Sequence, residues 1–133
     1  SYAGIPLTHR DYSQACIFVT GHLRDGTVNL NWKMLAHEKQ TLVFYMGMHG
    51  SKIICEELIK HGLKSTTPAA LIVKGTTVDQ EVIIGDLENM PKIIMENKII
   101  PPTLLIIGDV VKLHNKLKWF DPFSIKNKKN IHL

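Results

Sequence analysis

Cysteine, aromatic residues and long apolar runs are all scarce in this sequence of 133 residues. Its two cysteines, Cys16 and Cys55, lie in apolar runs and have neither the spacing of metal ligands nor a partner motif. We therefore expect two reduced, buried thiols in a cytoplasmic protein, and neither a disulfide nor a ligand pair. No apolar run approaches the roughly 18 residues that a membrane helix needs. The sequence therefore predicts no membrane span.

The histidines form no metal-binding pattern, although the sequence contains seven of them. Zinc sites place histidine and cysteine ligands at short, regular spacings. Here no two histidines stand three or four residues apart, and none stands that close to a cysteine. We therefore predict no metal site.

The formal net charge is +4, and an excess of lysine lies near the end of the sequence, at Lys126, Lys128 and Lys129. That stretch has no interleaved aromatic residues and no pattern of a helix that enters a nucleic-acid groove. A basic nucleic-acid binder is therefore an interpretation supported by charge alone. We predict that residues 121–133 form a flexible basic tail, because blocks of like charge at chain ends are commonly disordered.

Apolar runs of strand length, separated by polar and glycine-containing connections, dominate the rest of the sequence. They predict strands over 15–20, 41–46, 69–73, 77–84 and 103–107, and helices over 32–39, 51–61 and around Pro91. The strand over 15–20 is almost continuously apolar, so we expect both of its faces to be buried. The short connection 75–77 predicts an antiparallel hairpin. This pattern predicts one α/β domain with a mixed five-stranded sheet and flanking helices.

Two of these strands end abruptly at glycines. Met46 and Gly47 end the second strand, and Gly75 follows the third. Ligands of α/β proteins bind in the crevice outside the carboxyl ends of the strands. A glycine there lets the main chain approach a flat ligand, because no Cβ stands in the way. Most glycines after strands simply make turns, so the pattern alone leaves a turn and a ligand site both open.

Five segments of the sequence match one family in order and spacing. They are GIPLTHR at 4–10, TGHL at 20–23, EKQTLVFYMG at 38–47, PAALIVKGT at 68–76, and LLIIGDVV at 104–111 with KLKWF at 116–120. Together they resemble uroporphyrinogen-III C-methyltransferases, most closely the methyltransferase half of the multifunctional siroheme synthases. The resemblance implies that residues 1–120 form the C-terminal lobe of the tetrapyrrole methylase fold. It also implies a missing partner, an N-terminal lobe with a glycine-rich strand-end loop.

The resemblance further implies where the cofactor S-adenosylmethionine lies. In the family it occupies the cleft between the two lobes, and its contacts in the C-terminal lobe match Met46 and Gly75. Ala70, Ile72 and Thr76 neighbour the same surface and are second-rank candidates. The residues assigned to proton transfer in the family do not occur in this sequence, so we predict no catalytic residue here.

His9 and Arg10 belong to the first matching segment and are candidate contacts of the substrate, uroporphyrinogen III. That tetrapyrrole is rich in carboxylates, and an arginine fork pairs with a carboxylate at two points. The competing use of Arg10 is to hold its loop against the N-terminal lobe.

The family transfers methyl groups to C2 and then C7 of uroporphyrinogen III, which gives precorrin-2 for siroheme and in some cases cobalamin. The electron-rich pyrrole is the nucleophile, so the protein must align the reactants and exclude water. Because alignment needs both lobes, we predict that this chain alone is inactive. Family members are usually homodimers, so we expect a homodimer. A nonenzymatic dimerisation or interaction module is the alternative.

Overall fold

The computed structural model describes residues 1–21 and 28–122. They contain five strands, four α-helices and one 3₁₀ helix near the end. In chain order they are β1 (Ala15–Thr20), α1 (Trp32–Leu35), β2 (Gln40–Tyr45), α2 (Ser51–Lys60), β3 (Pro68–Val73), β4 (Glu81–Asp86), α3 (Met90–Glu96), β5 (Thr103–Ile107), the 3₁₀ helix (Asp109–Leu113) and α4 (His114–Leu117). Most of the predicted basic tail, residues 123–133, lies outside the described residues.

The strands form one mixed sheet in the order β1-β2-β5-β3-β4. β1 and β2 are parallel, and the other three neighbouring pairs are antiparallel. The carboxyl ends of β1, β2 and β3 therefore lie at one edge of the sheet, beside the start of β5. The mixed five-stranded sheet with flanking helices confirms the predicted fold class.

The two faces of the sheet carry separate hydrophobic clusters. On one face Phe44 and Leu71, together with other strand residues, join buried residues of α1, α2 and α3. On the opposite face Val43 and Ala70 join Ile5 of the N-terminal segment and residues of the 3₁₀ helix. The N-terminal segment thus takes the place of a helix on that face, and this placement positions the candidate site.

The prediction that β1 is buried on both faces is wrong. β1 stands at the end of the strand order, next to β2, and Phe18 is 55% exposed. Its apolar composition is typical of a central strand, but strand order depends on distant pairings that the local sequence does not carry. For the same reason Cys16 is half-buried, whereas Cys55 is buried as predicted.

The helix predicted over 32–39 ends four residues early, at Leu35. Ala36 leaves helical geometry with ψ of 57°, and Lys39 adopts a positive φ of 59° that turns the chain into β2. The side-chain amide of Gln40 donates to the Leu35 carbonyl oxygen at 2.5 Å. The same carbonyl also accepts from the His37 N–H at 2.9 Å, so it has two partners outside the helix.

β3 and β4 pair antiparallel, as predicted. The predicted length of three residues for their connection is wrong, however. β4 begins at Glu81, so the chain between the two strands comprises residues 74–80. This connection, which we call the β3–β4 loop, carries Gly75. Among the described residues no helix is long and apolar enough to cross a membrane.

Candidate functional site

A cavity of about 320 Å³ opens at the edge of the sheet where β2 and β3 end. Its floor is formed by side chains on one face of the sheet, and its sides by the β3–β4 loop and the N-terminal segment. The lining residues are Ser1, Tyr2, Ala3, Tyr45, Ile72, Gly75, Thr76, Gln80, Pro102, Thr103, Leu104 and Ile106. We call this space the strand-end cavity.

The N-terminal wall of the strand-end cavity is fixed by residues near the other end of the lobe. The Nδ1 atom of His114 lies 2.5 Å from the carbonyl oxygen of Ala3. The indole N–H of Trp119 donates to the carbonyl oxygen of Ser1 at 3.2 Å. The Tyr2 ring packs against Trp119 and Phe120, with both ring centroids 4.9 Å away. These contacts hold Tyr2 in the lining of the cavity.

The β3–β4 loop forms the opposite wall and is held by hydrogen bonds at both of its ends. The N–H of Lys74 donates to the carbonyl oxygen of Pro102 at 2.9 Å, which ties the loop to the start of β5. The Thr77 hydroxyl donates to the Lys74 carbonyl at 2.7 Å, and the Gln80 N–H donates to the Thr77 carbonyl at 3.1 Å. The loop is therefore a closed, internally bonded turn beside the cavity.

The backbone of this loop is strained next to Gly75. Lys74 and Thr76 have positive φ values of 46° and 69°. The left-handed conformation costs an L-residue roughly 1–2 kcal/mol, and a β-branched residue such as Thr76 is a genuine outlier there. Strain of this kind persists only where the surroundings hold it, and it is concentrated at ligand sites.

Three of the five residues predicted to contact the cofactor line the strand-end cavity together: Ile72, Gly75 and Thr76. Met46 follows the lining residue Tyr45 and is 58% exposed. Ala70 does not reach the cavity, because it is 0% exposed and packed in the core of the sheet. The structure thus brings the strand-end residues to one edge and leaves Ala70 beneath it.

His9 and Arg10 lie at the other edge of the sheet. The His9 N–H donates to the Ser13 carbonyl, and the Gln14 N–H donates to the Lys39 carbonyl, where β1 and β2 begin. The length of β2 therefore separates them from the cavity, about 17 Å at the usual rise per strand residue. Arg10 is exposed, and His9 Nδ1 lies 3.8 Å from the Asp11 carboxylate.

Sequence reasoning missed nine of the twelve lining residues of the cavity, among them Tyr2, Tyr45 and Gln80. Tyr45 stands directly before Met46, so the strand-end pattern could have indicated it. Tyr2 and Gln80 reach the cavity through contacts between distant parts of the chain, and no local pattern marks them.

The cavity offers shape and main-chain groups rather than acid–base chemistry. Burial raises the pKa of the Cys16 thiol. Burial, followed by the charges of Glu56 and Asp86, raises the pKa of Cys55 from 9.0 to about 12. Neither thiol lines the cavity. Among the described residues no group of three histidine, cysteine or acidic side chains could hold a metal ion.

Larger and smaller spaces occur elsewhere on the lobe. A groove of about 750 Å³ runs between α2 and α3, and a polar pocket of about 280 Å³ lies at the opposite edge of the sheet, beside Lys39 and Lys112. Neither is lined by a glycine or by the strained loop. The strand-end cavity is the better candidate because crevices at the carboxyl ends of strands are where α/β proteins bind ligands.

Comparison with known proteins decides the family. The sequence profile described as Tetrapyrrole (Corrin/Porphyrin) Methylases matches residues 1–91. The chain belongs to this family. It is 58% identical over 122 residues to the siroheme synthase of Thioalkalivibrio sulfidiphilus, which is 92% of this chain and 25% of that protein. It is 57% identical over 122 residues to the siroheme synthase of Nitrosospira multiformis, 92% of this chain and 26% of that one.

Solved structures of methylases share the fold. The uroporphyrin-III C-methyltransferase of Thermus thermophilus superposes with a TM-score of 0.70 at 29% identity, over 84% of this chain and 49% of that chain. A second structure of this enzyme, in complex with S-adenosyl homocysteine, superposes equally well. A cobalt-precorrin-4 methyltransferase gives a TM-score of 0.72 at 21% identity, which shows the fold alone. The chain spans about a quarter of the length of the siroheme synthases it matches.

Proposed function

We propose that residues 1–120 are the C-terminal lobe of an S-adenosylmethionine-dependent uroporphyrinogen-III C-methyltransferase. In this proposal the whole protein methylates C2 and C7 of uroporphyrinogen III to give precorrin-2, the precursor of siroheme. The observation that carries it is the strand-end cavity, where Ile72, Gly75 and Thr76 meet at the carboxyl end of β3. Support for the reaction comes from relatives named siroheme synthase and uroporphyrin-III C-methyltransferase.

The residues of the cavity fit one part of the cofactor. Ile72, Leu104 and Ile106 offer apolar surface to a flat ring. A Cβ at Gly75 would meet only the Cγ2 atom of Ile72 within 4 Å, at 3.3 Å, so the main chain there is open to the cavity side. When bound, S-adenosylmethionine supplies a methyl group from its sulfonium sulfur. The lobe's own part is to hold the adenosyl portion at the strand ends and to keep water from one side of it.

In this proposal a complete methyltransferase site includes residues outside this 133-residue chain. The chain covers about a quarter of its siroheme synthase relatives and about half of the structurally similar methyltransferase. We therefore propose that an N-terminal lobe closes the other side of the cavity and supplies the residues for proton transfer. The 133-residue chain alone is then inactive.

Contact of Arg10 and His9 with uroporphyrinogen III is a further proposal. The strand length that separates them from the cavity favours the competing role, in which Arg10 holds its loop against another part of the protein. Replacing Arg10 by alanine in the full-length protein separates the two roles. A raised KM for uroporphyrinogen III at unchanged thermal stability supports substrate contact, and a lowered unfolding temperature at unchanged KM supports the competing role.

An activity measurement tests the proposed function. Uroporphyrinogen III and S-adenosylmethionine are incubated with the purified 133-residue chain and, in parallel, with the full-length protein, and precorrin-2 is followed by absorbance. We expect product from the full-length protein and none from the chain alone. Product formed by the chain alone would contradict the two-lobe proposal, and no product from either protein would contradict the proposed reaction. A homodimeric state and a cytoplasmic location stay predictions.

A further inference from the structure

The side chain of Gln80 connects the two walls of the strand-end cavity. It is 8% exposed, which is low for a polar side chain in a loop. Its Oε1 atom accepts a hydrogen bond from the Thr76 N–H at 2.7 Å, and its Nε2 atom donates to the Tyr2 carbonyl oxygen at 3.2 Å. One amide group therefore holds the β3–β4 loop on one side and the N-terminal segment on the other.

The partner on the loop side is the strained residue. Thr76 has a φ of 69°, a conformation that a β-branched side chain disfavours. The hydrogen bond to Gln80 is made by the backbone N–H of that same residue. A buried amide that accepts from a strained N–H favours the strained conformation, because relaxing the backbone would leave a buried acceptor without its partner.

We propose that Gln80 is a positioning residue of the cofactor site: it holds Thr76 in the left-handed conformation and sets the distance between Gly75 and Tyr2 across the cavity. This inference rests on the proposed function of the strand-end cavity. Gln80 acts through the backbone of Thr76 and Tyr2. Its removal leaves both walls in place but lets them move, and the resulting misplacement lowers affinity for the cofactor more than it lowers stability.

Gln40 offers a matched control at the far edge of the sheet. Its side-chain amide also donates to a backbone carbonyl, that of Leu35 at 2.5 Å, and it is partly buried. It does not line the strand-end cavity. Replacing either glutamine by methionine keeps the side-chain length and removes the hydrogen bonds. A general loss of stability affects both variants, whereas a positioning effect is confined to Gln80→Met.

The experiment measures the dissociation constant of S-adenosylhomocysteine by calorimetry, and the thermal unfolding temperature, for the full-length protein and both variants. We expect Gln80→Met to bind about tenfold more weakly, and Gln40→Met to bind within about twofold of the unchanged protein. In activity assays, KM for S-adenosylmethionine should rise in Gln80→Met by a larger factor than kcat falls. Unchanged affinity in Gln80→Met would overturn the inference while leaving the proposed function intact. An unchanged protein that fails to bind S-adenosylhomocysteine would overturn both.

A double-mutant cycle tests the link to Thr76. Glycine adopts positive φ without the cost that threonine carries, so Thr76→Gly removes the need for a residue that holds the strained backbone. The loss of affinity on replacing Gln80 by methionine should then be smaller in the Thr76→Gly protein than in the unchanged one. An equal loss in both backgrounds would overturn the role assigned to Gln80.

If Gln80→Met does not fold, Gln80→Glu replaces it in the comparison. The glutamate keeps an acceptor for the Thr76 N–H but faces the Tyr2 carbonyl with an oxygen in place of a donor. Weaker binding of S-adenosylhomocysteine at an unchanged unfolding temperature supports the inference. Affinity equal to that of the unchanged protein overturns it.

Discussion

The backbone of Gly4 lies directly against the backbone of Lys118. A Cβ atom on Gly4 would stand 2.5 Å from the Lys118 nitrogen and 2.6 Å from its Cα atom, and Gly4 has a φ of +64°. Both facts require glycine at this position. The positive φ disfavours any residue with a Cβ atom, and a Cβ atom would clash with the Lys118 backbone. The contact joins the N-terminal segment, which forms one wall of the strand-end cavity, to the chain that follows α4.

Gly4→Ala should therefore destabilise the lobe. The alanine must adopt a left-handed conformation and push two stretches of backbone apart, so we expect a loss of about 3 kcal/mol in the free energy of unfolding. Urea unfolding of the 133-residue chain measures it. Gly75→Ala is the control, because Gly75 is outside the positive-φ residues and the only neighbour within 4 Å is a side-chain atom, at 3.3 Å. A loss for Gly4→Ala no larger than for the control would contradict the close approach.

Gly75→Val in the full-length protein should weaken cofactor binding with little effect on folding. Gly75 is exposed and does not need positive φ, so valine meets no backbone obstacle. Its branched side chain would nevertheless occupy space at the cavity wall. We expect about a tenfold loss of affinity for S-adenosylhomocysteine, or roughly 1.4 kcal/mol, measured by calorimetry. If the variant unfolds instead, Gly75 serves the turn and not the ligand.

Met46→Leu in the full-length protein should keep most of the cofactor affinity. Met46 is 58% exposed, and the swap nearly conserves side-chain volume. The backbone, at a φ of 54°, is the part that the strand end presents. We expect a change of less than about threefold in the dissociation constant of S-adenosylhomocysteine. Loss of binding in this variant would assign the contact to the Met46 side chain.

Local pattern was sufficient to predict the fold class and the existence of five strands, although it placed the start of β4 four residues too early. β1 and β5 lie where the sequence predicted them, at Ala15–Thr20 and Thr103–Ile107. Each is a short apolar run bounded by polar or turn residues, and such signals are contained within a few neighbouring positions. The candidate cofactor residues at the end of β3 followed from the same runs and from the family resemblance.

Features that depend on distant partners could not be predicted. Gln80 contacts Tyr2 across 78 positions of sequence, and nothing near Gln80 indicates that bond. The positive φ at Thr76 could not be predicted either, because a β-branched residue such as threonine disfavours that conformation. β1 is an edge strand because of the order in which the strands pair. The apolar residues of β1, such as Phe18, do not indicate that order.

The Cys55 thiol should be almost inert in the folded protein. Burial raises its pKa from 9.0 to about 12, so very little of the thiol is ionised at pH 8. Iodoacetamide at pH 8, followed by mass spectrometry, should label the half-buried Cys16 first and Cys55 only after urea is added. Equal labelling of both thiols in the folded protein would contradict the burial of Cys55.

The same shift predicts the direction of a pH effect on stability. The pKa of Cys55 is higher in the folded state than in the unfolded state. The protonated thiol therefore contributes fully to the free energy of unfolding below about pH 9, and this contribution is lost as pH rises from 9.0 toward 12. Unfolding free energy should fall over that range less steeply in Cys55→Ala than in the unchanged protein. An identical slope in both would contradict the raised pKa.

We propose that the strand-end cavity receives the adenosyl part of S-adenosylmethionine. The most direct test is a crystal structure of the full-length protein bound to S-adenosylhomocysteine. We expect the adenosyl group to contact the backbone of Gly75 and Met46, with the Gln80 side chain still hydrogen-bonded to Thr76. An adenosyl group bound elsewhere, with the cavity filled by the protein's own side chains, would contradict it.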